Sequence, residues 1–330
     1  MKPSVIASVL PELIAMRRPI FLWGKPGIGK SSVVNQVAAA MKRQLNDVRL
    51  SQLDSIDLRG FPVPNLKDKR MDWLPASFLP GPKSPPGVLF LDEFNGAMPA
   101  VMSPAYQLIL EHRIGDYVLP DNWSIVAAGN GGDDRGITHQ MPAPLNNRFV
   151  HIDFELDATD WQLRATDDGI HPHIRAYLRM KPGSLHVFDS VANPRSFPTP
   201  RSWYFVNELY CKNFAAGELF ELIKGTIGEG AAGEFIGFVR DIKDMPDIDS
   251  IMMDPKGAKL PGSQSVMHAV ITTLSDKTKA SNFGRLMGYV TRLPTEFQIV
   301  YARHAIAKDP NVTGCKEYAA WGLANQNVIM

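Results

Sequence analysis

The chain has 330 residues, longer than one hydrophobic core usually supports, so the expectation is a large domain with a smaller one or an appendage. Apolar residues make up 45%, which excludes a largely disordered chain; 35 Lys and Arg against 34 Asp and Glu give a net charge of +1 and no global attraction to nucleic acid or an anionic membrane. Two cysteines, Cys211 and Cys315, can build neither a disulfide framework nor a four-ligand zinc site, and they fit a reducing compartment.

The N-terminal run MKPSVIASVLPELIAMRRPIF is interrupted by Pro11 and Glu12 and ends in Arg17-Arg18 without a small-residue cleavage site. It predicts an amphipathic helix with Val5, Val9, Leu13 and Met16 on one face, not a signal peptide. No run approaches the ~18 uncharged apolar residues of a membrane span, so the expected location is cytoplasmic.

Residues 19–23 form a short apolar run that stops at Gly24-Lys25-Pro26-Gly27-Ile28-Gly29-Lys30-Ser31-Ser32, after which Val33, Val34, Val37, Ala38 and Met41 recur at helical spacing. Strand, glycine loop and helix in this order match G-x-x-x-x-G-K-[ST] without a mismatch. Glycines let the backbone turn its N–H groups inward as an anion cradle at the positive end of the following helix. In that cradle Lys30 reaches β- and γ-phosphates and the Ser31 hydroxyl ligates Mg²⁺.

Seven prolines fall between Pro62 and Pro86, which predicts loop for that stretch. Gly87-Val-Leu-Phe-Leu-Asp92-Glu93 then reads as a strand buried on both faces, with two carboxylates where it emerges. Asp92 is placed to hold Mg²⁺, and Glu93 to orient or deprotonate an attacking water. A further buried run, residues 123–130, ends in Asn130, which is suited to hydrogen-bond a γ-phosphate and a lytic water. Arg148 stands immediately before the alternating run VHIDFE, a fifth strand.

Taken in order, GKPGIGKSS, VLFLDEFN, the Asn130 strand, LNNRF and FPTPRSW resemble the AAA+ ATPases, and among them the MoxR-like group, over residues 1 to about 215. The resemblance implies a three-layer α/β/α P-loop NTPase with a five-stranded parallel sheet, followed by a small helical lid and a helical extension. The corresponding ranges are 1–156, 157–252 and 253–330. Lys30 and Ser31 look like the Walker A pair, Asp92 and Glu93 like Walker B, and Asn130 like sensor 1. Arg148 is similar to the arginine finger that reaches a neighbour's nucleotide, with Arg135 as its rival, and Arg201 resembles sensor 2. In this family the region after the second strand carries a pore-facing loop, which makes Leu58, Arg59 and Phe61 candidates for client contact. The alternative is that Phe61 and Trp73 pack that loop onto the large domain.

The remaining sequence predicts helices across 157–250, a surface loop near 254–262 and further helices carrying Val266, Ala269, Val270 and Leu274. His171 and His173 flank Pro172 without a completing carboxylate or Cys, which points to capping or solvated histidines and not to a metal pair. The expected activity is ATP hydrolysis with Mg²⁺ by a ring, a hexamer by resemblance, that remodels a protein client, with a von Willebrand A domain protein as the family's typical partner. The second reading is a DNA-associated motor. Near-zero charge and basic clusters interleaved with acids disfavour it.

Overall fold

The runs that lack polar alternation become strands covered on both faces. The computed structural model describes residues 1–131, 139–188 and 195–325. The chain divides into two compact units, the first covering Met1–Asp157 and the second beginning at Ala158.

The first unit opens with α1 (Pro3–Ala15), β1 (Ile20–Trp23), α2 (Lys30–Ala40), β2 (Gln44–Arg49) and α3 (Ser55–Arg59). A hairpin of β3 (Phe61–Asn65) and β4 (Arg70–Leu74) follows, then β5 (Gly87–Asp92) and α4 (Pro99–Glu111). A small ribbon of β6 (Arg113–Ile114) and β7 (Tyr117–Val118) leads to β8 (Trp123–Gly129), α5 (Ala143–Asn146) and β9 (Val150–Asp153). Five strands pair in the order β2-β5-β8-β1-β9, and every pairing is parallel.

Alternate residues of the strands enter different layers. Ile20, Leu22, Val88, Phe90, Val126 and Ala128 share a core with the α1 and α2 residues Ile6, Leu10, Val34 and Val37. Phe21, Leu89, Leu91, Ile125 and Ala127 pack on the other face with Val101, Ala105 and Leu108 of α4. This is the expected α/β/α sandwich of the P-loop NTPase type. Ligand sites in such sheets lie at the carboxyl ends of the strands.

Two local expectations are corrected. Helix α1 forms, yet the face it buries is Ile6, Leu10 and Ile14, while Val5 and Met16 stay exposed. Both stripes are apolar, and the docking surface of α2 and β8 selects between them. The proline-rich stretch is not loop throughout, because residues 61–74 form the β3–β4 hairpin. Pro62 and Pro64 alternate along β3, so the missing N–H groups leave the residues between them to pair.

The second unit is helical: α6 (Ala158–Asp167), α7 (Pro172–Met180), α8 (Pro200–Tyr210), α9 (Ala216–Ile227), α10 (Glu229–Asp241) and α11 (Ile248–Met253). It continues with α12 (Gln264–Lys277), α13 (Ala280–Val290), α14 (Thr295–Lys308) and α15 (Lys316–Ala324). Helix α12 packs on both α7 and α14. Buried Arg175 forms a two-pronged ion pair with Asp276, one arm at 2.9 Å. Arg179 Nη1 donates to Thr272 Oγ1 at 2.6 Å, and its Nη2 lies 3.2 Å from His304 Nδ1. His171 Nδ1 accepts from the His173 N–H and caps α7.

Burial, reinforced by neighbouring basic groups, lowers the pKa of three histidines of this unit. His304 falls to about 3, lowered by burial and then by Arg179, Arg175 and Arg303; His268 falls to about 4 by burial and Arg179; His173 falls to about 4 by burial and His171. An unfolded chain protonates these rings near 6.5, so it binds more protons than the folded one below that pH. Their contribution to stability is complete above pH 6.5 and is lost as pH falls toward the folded values. The melting temperature should therefore drop by several degrees between pH 7 and pH 5, and His304→Gln should melt with a shallower pH slope. An equal slope in wild type and variant, measured by scanning calorimetry, contradicts this.

Candidate nucleotide-binding site

The parallel register gathers the sequence motifs at one edge of the sheet. Trp23 at the end of β1 is level with Gly129 at the end of β8, and Leu91 of β5 is level with Ala127. The chain after Trp23 therefore leaves the sheet beside the end of β8, where Asn130 follows, and one strand away from the end of β5, which carries Asp92.

The glycine loop takes the backbone its residues permit. Gly27 and Gly29 have φ of 76° and 105°, the left-handed region where a side chain is strained, and Gly29 is the N-cap of α2. Gly24 N–H donates to Gly129 O at 3.2 Å, tying the loop's entry to β8. Ile28 is buried in the α1–α2 core and pins the loop from below. Lys25 and Ser32 are exposed, and Pro26 is half-buried. The first N–H groups of α2 have no intrahelical acceptor and face the mouth of this loop, which is the arrangement that holds phosphate oxygens.

Lys30 is buried, with its ammonium inside the loop. It donates to Gly24 O, to Lys25 O at 3.1 Å and to Asn130 Oδ1 at 3.1 Å. Ser31 Oγ donates to Asp92 Oδ2 at 2.8 Å, and Asp92 Oδ1 accepts from the Glu93 N–H at 2.9 Å. A hydroxyl and a carboxylate in contact form the hard-oxygen donor set that Mg²⁺ takes together with substrate phosphates. Asp47 on β2 has its carboxyl raised above the usual range, first by burial and then by the charge of Asp92.

Glu93 has φ 53° and ψ 37°, a left-handed conformation that is strained for a non-glycine residue. Its carboxylate accepts a hydrogen bond from Ser51 Oγ, in the turn after β2. Asn95, unlike exposed Glu93, is nearly fully buried and bonds the backbone of Asn130 in both directions. Neither Ser51 nor Asn95 is marked as a partner by its sequence surroundings. Asn95 stood within VLFLDEFN, but its partner is 35 residues away, and nothing local marks Ser51.

Lys30, Ser31, Asp92, Glu93 and Asn130 thus come together. Arg148 does not join them: it is exposed in the turn between α5 and β9, and its guanidinium has no hydrogen-bond or ion-pair partner among the described residues. A relay sets that turn, because Trp23 Nε1 donates to His151 Nδ1 at 2.9 Å and His151 Nε2 lies 2.8 Å from Asn146 O. Arg201 belongs to the second unit, exposed at the second position of α8, whose Thr199–Ser202 capping box is intact. Arg135 lies outside the described residues. Of the pore-loop candidates, Arg59 and Phe61 are exposed, whereas Leu58 is fully buried. Leu58 cannot meet a client as expected, because α3 packs on α4 and turns that side chain into the core.

The AAA domain (dynein-related subfamily) family matches residues 19–149. Midasin of Giardia intestinalis is 28% identical over 181 residues, which are 51% of this chain and 4% of midasin. Midasin of Dictyostelium discoideum is 30% identical over 147 residues, 41% of this chain and 2% of that protein. The chain spans only a few per cent of the length of these relatives. A solved structure of the Thermotoga maritima RuvB Holliday junction branch migration motor aligns over 88% of this chain and 86% of its own, at 16% identity and a TM-score of 0.38. No helix among the described residues is long and apolar enough to cross a membrane. Residues 19–149 are thus similar in sequence to AAA domains of the dynein-related subfamily, and the sheet order and glycine loop agree with that match.

Proposed function

We propose that the chain binds ATP with Mg²⁺ at the glycine loop and hydrolyses it, and that it works as a ring, of MoxR-like type, on a protein client. The observation that carries this reading is the joint placement of Lys30, Ser31, Asp92, Glu93 and Asn130 at adjoining strand ends. Residues 24–32 cradle the triphosphate with N–H groups, and Lys30 exchanges its loop carbonyls for phosphate oxygens. Ser31 and Asp92 hold Mg²⁺, which neutralises charge on the β- and γ-phosphate oxygens when bound. Glu93 orients a water and takes its proton as the water oxygen bonds to the γ-phosphorus and the bond to the bridging oxygen breaks. Asn130 holds that water and the γ-phosphate in line.

Arg148, exposed and without a hydrogen-bond or ion-pair partner among the described residues, suits a role in trans, which makes a subunit interface part of the site. Arg201 reports the γ-phosphate from a helical lid spanning 157–252, with 253–330 as an extension. The β3–β4 hairpin and the turn before it offer the client Phe61 at 65% exposure, Trp73 at 42%, Leu74 at 58% and Leu66 at 88%. Exposed apolar residues in one element mark an interaction surface. A von Willebrand A domain protein is the client or co-factor protein that the MoxR-like resemblance suggests.

Glu93→Gln should keep ATP affinity and lower turnover about 10²-fold or more, measured by phosphate release. Unchanged hydrolysis overturns the assignment. Ser51→Ala frees the Glu93 carboxylate from the hydrogen bond that holds it, so basal turnover should rise severalfold at unchanged ATP affinity; a fall in turnover contradicts this. Arg148→Ala should lower turnover and spare affinity, and mixing it with the Glu93→Gln protein should restore part of the activity through mixed interfaces. Absence of any restoration contradicts action in trans.

A further inference from the structure

Asn95 begins no catalytic motif, yet its side chain hydrogen-bonds the backbone of Asn130 in both directions, beside the apolar packing of Phe94 on β8. It lies in the tight helical turn Phe94–Gly96, two residues after Glu93, and is 5% exposed. Asn95 Nδ2 donates to Asn130 O at 2.8 Å, and Asn130 N–H donates to Asn95 Oδ1 at 3.1 Å. Only one orientation of the amide satisfies both partners, so the side chain acts as a short piece of strand paired with Asn130. The backbone carbonyl of Asn95 also accepts from the His139 N–H at 2.7 Å. One residue therefore fastens the chain at Asn130 and again at His139.

The preceding residue is adapted to this clamp. A Cβ on Gly129 would lie 2.3 Å from Asn95 Oδ1 and 2.7 Å from Phe21 Cζ, so a larger residue there would push the amide out. Held in this way, Asn130 directs Oδ1 to Lys30 Nζ at 3.1 Å. Glu93, Asn130 and Lys30 reach the site from three segments, and Asn95 links the first of these to the second. A loss of that link displaces Asn130, while the bonds of Lys30 to the Gly24 and Lys25 carbonyls remain to hold the glycine loop.

We propose that Asn95 is a positioning residue that fixes the distance between Glu93 and Asn130, and so sets the alignment of the lytic water. This rests on the ATPase reading above. Asn95→Ala removes both bonds. Asn95→Asp keeps the shape and the acceptor but places a carboxylate oxygen against Asn130 O, breaking one bond and adding repulsion.

The test compares the two variants with wild type in four measurements: phosphate release, affinity for a fluorescent ATP analogue, melting temperature, and hydrogen exchange of residues 123–131 without nucleotide. The expected result is a kcat lowered about 10- to 100-fold in both variants, with analogue affinity within about twofold, since misplacing a reacting group by ~1 Å costs about that much in rate. The 123–131 segment should exchange faster in both, because the Asn130 N–H loses its acceptor or its fixed geometry. Turnover near wild type, unaltered exchange, or a parallel loss of affinity and melting temperature in both variants overturns the proposal. If wild type itself releases no phosphate, the ATPase reading fails and the exchange measurement alone decides whether Asn95 holds Asn130.

Discussion

The hydrogen bond from Ser31 Oγ to Asp92 Oδ2, 2.8 Å long, spans 61 positions of sequence and ties the start of α2 to the end of β5. It requires β1, β8 and β5 to lie side by side and in parallel, so that their carboxyl ends open into one crevice. The sheet order provides this by sending the chain from β1 past two neighbours to the edge strand β2, then back through β5 and β8. Both layers of helices are needed to hold that register, since every residue of β8 and all of β5 but its last are buried. A bond to a charged group typically contributes about 1.5–3 kcal/mol, and here it also places the two oxygens that a hard cation prefers.

Around that contact the structure balances rigid and adaptable parts. Lys30 is held by the carbonyls of Gly24 and Lys25, acceptors that a triphosphate would, on the proposed ATPase reading, replace with stronger anionic ones. Glu93 occupies a strained left-handed turn and is held by Ser51. Strain at the residue proposed to act as a base accords with a surrounding structure that over-determines its position. The Trp23–His151–Asn146 relay carries the same order from the last residue of β1 to the turn that displays Arg148. An exposed arginine gains catalytic meaning only when a neighbouring subunit brings a nucleotide to it, and the ring reading supplies that neighbour.

Much of the site was legible in sequence because its chemistry is local. Gly27, Gly29, Lys30 and Ser31 must lie within one short run for a loop to cradle phosphate, and unbroken apolar runs before Asp92 and Asn130 announce strands buried twice. What stayed hidden depends on distant partners. Strand β2, QLNDVR, carries few apolar residues because it is an edge, and it brings Ser51 to Glu93 across 42 positions. Leu58 looked like its exposed neighbours Arg59 and Phe61 until α3 was seen to rest on α4. Helix α1 offered two apolar stripes, and only the surface beneath it distinguishes Ile6, Leu10 and Ile14 from Val5, Val9 and Leu13. Prolines marked residues 62–86 as irregular, although alternate placement on β3 makes them compatible with a hairpin.

The central claim is that the crevice between the ends of β1, β5 and β8 is the ATP site. It is tested most directly by a structure of the Glu93→Gln protein with a non-hydrolysable ATP analogue and Mg²⁺. The account predicts the triphosphate within residues 24–32, Lys30 Nζ moved from the Gly24 and Lys25 carbonyls to phosphate oxygens, and the cation against Ser31 and Asp92. An analogue bound elsewhere, or one that leaves Lys30 on its loop carbonyls and the Ser31–Asp92 pair untouched, would contradict it.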